Sequence, residues 1–120
     1  MNWYVSKIIF RIVCDVGNHT PQFDEQLCLF SAETELEAFQ KARITGINRE
    51  DSFKNDKQQT VKWEFIDVVE LLKINTIQDG MEVYSQINEY DDAIQYISMI
   101  KQKAHGIELK AKETVLSINT

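Results

Sequence analysis

Val61-Lys62-Trp63-Glu64-Phe65-Ile66-Asp67-Val68-Val69-Glu70-Leu71-Leu72 (VKWEFIDVVELL) decides the fold class. Aromatic and β-branched residues fill it, no Gly or Pro interrupts it, and Val61, Trp63, Phe65, Val69 and Leu71 share one parity. A period of two belongs to a strand, because successive side chains of a strand leave on opposite faces. Asp67 breaks the apolar parity, and a carboxylate in that position must find a partner or raise its pKa.

Downstream, Asn75 to Gly80 carries an Asp-Gly turn signal, and Met81, Val83 and Ile87 alternate with Glu82, Tyr84 and Gln86. This predicts a second strand and a hairpin. Upstream, the polar stretch Asn55 to Gln59 separates the run from a helix that opens at Thr34-Glu35-Leu36-Glu37, the spacing of a capping box. Leu36, Phe39, Ala42, Gly46 and Ile47 share one face of that helix, which ends near Asn48.

The chain opens with another β-rich run, Trp3 to Cys14 (WYVSKIIFRIVC). One parity, Tyr4, Ile8, Phe10, Ile12 and Cys14, is apolar; the other mixes Trp3, Val5, Ile9 and Val13 with Lys7 and Arg11 and asks for a cover. Asp15 to Gln22 collects turn formers, and Phe23 to Phe30 returns as the second strand of a first hairpin. Cys14 and Cys28 then lie in neighbouring strands about five residues out of register, too far apart for the ~7 Å Cα limit of a disulfide, and are expected as buried free thiols.

From about Tyr90 a second helix follows, with Ala93, Ile94, Ile97, Ile100 and Ala104 in one stripe. Gly106 resembles a stop, yet Ile107, Ala111, Val115 and Ile118 continue the stripe in phase, which predicts a helical tail. The expected fold is therefore α+β: an antiparallel sheet of about four strands in ββαββα order, helices on one face, and a C-terminal helical extension. We expect a single domain over residues 1–120, with a first ββα unit at 1–50, a second at 60–105 and a tail at 106–120.

Composition narrows function by exclusion. The 120 residues are 43% hydrophobic and 27% charged, a globular balance, and the net charge of -6 opposes nucleic acid and anionic membranes. No apolar run approaches the ~18 residues of a membrane span, and the start Met1-Asn2-Trp3-Tyr4 lacks a basic segment before an apolar one, so a cytoplasmic location is expected. No Gly-x-Gly-x-x-Gly, phosphate-binding loop, Gly-x-Ser-x-Gly elbow or zinc spacing is present, and the sequence nominates no catalytic residue, metal ligand or cofactor.

The candidates that remain are of two kinds. His19, Asp24 and Asp67, with Arg11 or Lys7 as counterions, form a candidate polar ligand site. Trp3, Val5, Ile107, Val115 and Ile118 are candidate interface residues, because apolar surface left over by the predicted elements asks for a partner. A homo-oligomer or another protein is the expected partner.

Taken together, NWYVSKIIFRIV, GNHTPQFDEQLCLFSAETELEAFQKA, VKWEFIDVVEL and DGMEVYSQI resemble an uncharacterised bacterial family, the domain-of-unknown-function family 4288. The resemblance spans roughly residues 2 to 90 and rests on the order of the motifs. It implies a bacterial origin and carries over no activity, substrate, cofactor or functional residue. The chain after about Tyr90 lies outside it.

Overall fold

The computed structural model describes residues 1–15 and 20–119, with side chains up to residue 117. Its elements are β1 (Asn2–Cys14), β2 (Gln22–Ala32), α1 (Glu35–Asn48), β3 (Asp51–Lys54), β4 (Thr60–Ile74) and α2 (Ala93–Asn119). The fold is α+β, with a four-stranded antiparallel sheet in the order β2-β1-β4-β3. The chain divides into two compact units, Met1–Ser85 and Gln86–Thr120.

In the first unit β1 is the inner strand that pairs along most of its length, Tyr4 opposite Phe30 on β2 and Lys73 on β4. This is why its apolar parity forms the core. Ile8 and Phe10 are fully buried, and Cys28, Phe30, Trp63, Phe65 and Val68 pack around them under Ala42 of α1. Tyr4, Ala32 and Ala38 form a second cluster joined by Leu71.

Helix α1 begins where the capping pattern places it. The Glu37 amide donates to Thr34 Oγ1 at 3.1 Å, and Glu37 Oε2 accepts from the Glu33 amide at 3.1 Å. The face turned to the sheet is Ala38, Ala42 and Gly46, not the larger stripe read from the sequence. Leu36 and Ile47 are 66% and 55% exposed. Small residues let the helix axis approach the sheet, and at Gly46 the approach is close enough that a Cβ would strike the Phe65 ring.

The second hairpin differs from expectation in its membership. Asp51–Lys54 supplies the fourth strand, pairing with Thr60–Trp63, while the predicted strand over 81–87 is absent. The Asp-Gly turn itself forms: Gly80 has φ +79° and the Met81 amide donates to the Gln78 carbonyl at 3.1 Å. The chain beyond it does not join the sheet edge; Met81 and Val83 turn towards the face that carries Trp3 and Leu29. The cover demanded by the mixed parity of β1 is thus a strap of irregular chain.

In the second unit, α2 runs unbroken through Gly106 for 27 residues. Asp92 caps it, its carboxylate accepting from the Gln95 amide at 2.9 Å, and Tyr90 stacks on Tyr96 with ring centroids 4.1 Å apart. The expected helical tail is therefore one helix with the segment before it.

Candidate functional site

The carboxylate that breaks the parity of β4 sits between two irregularities. The register of β1 with β4 shifts between Lys7 and Ile8 and again between Ile9 and Phe10, and Asp67, opposite Ile9, lies between the shifts. Extra residues of this kind re-aim a side chain. Asp67 reaches Arg43 of α1 in a two-pronged pair, Nε to Oδ1 and Nη2 to Oδ2, both at 3.0 Å. The Val68 amide adds a third bond at 2.8 Å. The Arg43 pair first, then the Val68 amide, holds the Asp67 carboxyl below the usual carboxylate range. The counterion comes from α1; Arg11 and Lys7, the partners considered from the sequence, are not the groups bound to it. Arg43 also lies 4.4 Å from the centroid of the Phe39 ring, which fixes its guanidinium in place.

Asp24 belongs to a different group. Its Oδ2 accepts from Trp63 Nε1 at 3.2 Å and from Gln26 Nε2 at 2.8 Å. Gln26 Oε1 in turn accepts from Arg49 at the end of α1 at 3.0 Å, and the same nitrogen of Arg49 lies 3.1 Å from Cys28 Sγ. Asp24, Gln26 and Cys28 share one parity of β2, and Trp63 the apolar parity of β4, the signal by which sequence alone assigns each to a strand face; Arg49 carried no such mark. Nearby, Glu50 Oε2 accepts from the Phe65 amide at 3.1 Å. These bonds tie the end of α1 to β2 and β4.

Of the polar candidates, then, Asp67 and Asp24 enter separate bonded groups, and Arg11 is exposed on β1. His19 lies outside the described residues. Cys28 pairs in register with Ser6, far along the sheet from Cys14, and both cysteines are free and half-buried rather than fully buried. Among the described residues no three His, Cys, Asp or Glu side chains gather to hold a metal ion, and no helix is long and apolar enough to cross a membrane.

The opposite face of the sheet holds an apolar opening. Lys7, 8% exposed, donates to the Tyr84 hydroxyl at 3.2 Å, lies 4.9 Å from the Tyr84 ring centroid, and pairs with Glu25 at 3.4 Å. The Tyr84 bond is the chief cause of a Lys7 pKa above the usual lysine value. This contact pins the strap to the sheet. Beside it, Trp3, Leu29, Ile77, Met81 and Val83 line a groove of about 560 Å³. Trp3 is 51% exposed, whereas Val5 is buried at 4% and its apolar surface is already covered.

The family model for a domain of unknown function (DUF4288) matches residues 3–85. The chain belongs to the DUF4288 family. No curated protein and no solved structure matches it. The DUF4288 match stops at the residue where the first compact unit stops, so the sheet, α1 and the strap are the family domain and α2 lies beyond it. The remaining interface candidates are on that helix outside the DUF4288 domain. Ile107 and Val115 are 71% and 57% exposed, and the side chain of Ile118 lies outside the described residues.

Proposed function

We propose that the protein is a non-enzymatic interaction module that assembles as a homo-oligomer in a bacterial cytoplasm. The observation that carries the reading is α2. Among the described residues of its own unit, this helix has no second element against which Ile97, Ile100, Ile107 and Val115 can be buried. An isolated helix draws most of its stability from packing an apolar face, so the stripe calls for a partner. The non-enzymatic part rests on the use made of the polar candidates: Asp67 and Asp24 spend their oxygens on Arg43, Trp63 and Gln26. Two free cysteines suit a reducing compartment. Light scattering at micromolar concentration is expected to give a mass above the 14.0 kDa of one chain, and a monomer mass refutes the reading.

A second reading, a small-molecule module, draws support from the groove beside Trp3. Its test is a saturable change in tryptophan fluorescence with an uncharged naphthalene probe, abolished by Leu29→Arg.

A further inference from the structure

The homo-oligomer reading leaves open how the copies meet, and the pairing mode derived from α2 rests on that reading. Ile97, Ile100, Ala104, Ile107 and Ala111 repeat at alternating spacings of three and four along α2, which is the seam of a coiled coil. The seam is open to a partner: Ile97 is 55% and Ile107 71% exposed. Ala104 and Ala111 let two backbones approach between the isoleucine layers. After Ala111 the next large apolar residue is Val115, four positions on, a spacing that locally unwinds the supercoil.

The charges beside the seam choose the direction of pairing. Lys101 and Glu108 flank it on one side, Tyr96, Lys103 and Lys110 on the other. In a parallel pair each flanking residue of the second set meets the residue five positions on in the other copy. Lys103 then faces the partner's Glu108, twice by symmetry; Tyr96 faces Lys101, and Lys110 faces Val115. No like charges meet. Glu108 already binds Lys112 of its own helix through Oε1 at 2.9 Å, which leaves Oε2 for the second cation. In an antiparallel pair that sets Ala104 against Ile107, Lys101 meets Glu108 but Lys103 meets Lys110, also twice, and the repulsion cancels the gain. We infer that two copies of the chain join through α2 as a parallel coiled coil, Lys103 of each helix paired with Glu108 of the other.

Sedimentation equilibrium on the full chain tests this with Lys103→Glu, Glu108→Lys and the double swap. Both positions sit on the exposed helix surface, and circular dichroism checks that helix content is kept. Each single change is expected to weaken the dimer about tenfold, since two symmetry-related pairs turn from attraction to repulsion, and the double swap is expected to restore it. Tighter association of Lys103→Glu identifies the antiparallel pair and overturns the proposal, because that change removes the Lys103–Lys110 repulsion. Unchanged association of every variant places the interface elsewhere and overturns it too. A monomeric wild-type chain defeats the homo-oligomer reading itself, a result distinct from either.

Discussion

At Asp67 a single side chain records how the sheet accommodates α1. The β4 irregularities bring its carboxylate to Arg43, and the pair is half exposed, so its stabilisation is that of a screened surface pair even with two-pronged geometry. Asp67→Asn is expected to cost about 0.5 kcal/mol at neutral pH, measured by urea unfolding. The folded carboxyl titrates below its ordinary value of 3.8, so the contribution is complete above that value and is lost as pH falls through the depressed pKa. Wild type and Asp67→Asn therefore converge in stability in acid. Lys7 has the opposite sign: its raised pKa gives a contribution complete below 10.5 and lost as pH rises through the folded value. Gly46 tests the close approach of α1. Gly46→Ala is expected to destabilise by about 1–3 kcal/mol through overpacking against Phe65, and Phe65→Leu in that background to recover part of the loss. Simple additivity of the two substitutions contradicts a direct clash between them.

At the level of elements, legibility in the sequence comes from period and caps. The Trp3–Cys14 and Val61–Leu72 runs have a period of two over many residues, and Thr34 with Glu37 marks a helix start by side-chain chemistry; all three are in the structure. Asp51–Lys54 was not legible, because four residues with one aromatic form no pattern. It is a strand because β4 offers Trp63 for Phe53 to stack on, with centroids 5.8 Å apart. The stretch 81–87 alternates like a strand, but Tyr84 takes the Lys7 ammonium and Met81 and Val83 cover the sheet face, so tertiary contacts prevail over local pattern. Of the candidate polar site, the odd placement of Asp67 was legible and its partner was not, since Arg43 meets it only through the packing of α1 on the sheet. Gly106 is the weak point of α2: it lies inside a helix, and a Cβ there meets nothing within 4 Å. Gly106→Ala is expected to stabilise α2 by about 0.5–1 kcal/mol, read as a higher melting temperature of the helical signal. A lower one contradicts an uninterrupted helix.

For the whole molecule, the boundary near Ser85 divides two parts of different character. The DUF4288 domain closes its own core under α1, and its opposite face is covered in part by the strap. Helix α2 has a cap, a continuous hydrogen-bonded backbone and an apolar stripe, but among the described residues its unit holds no other secondary-structure element. A chain of this composition gains by burying such a stripe, and a second copy offers the same stripe with complementary flanking charge. The family domain and the assembly helix are then separable parts. Sedimentation velocity at micromolar concentration, comparing the full chain with one ending at Ser85, tests this most directly. The full chain is predicted to sediment as a dimer of twice 14.0 kDa and the shortened chain as a folded monomer; a full chain that sediments at 14.0 kDa contradicts it.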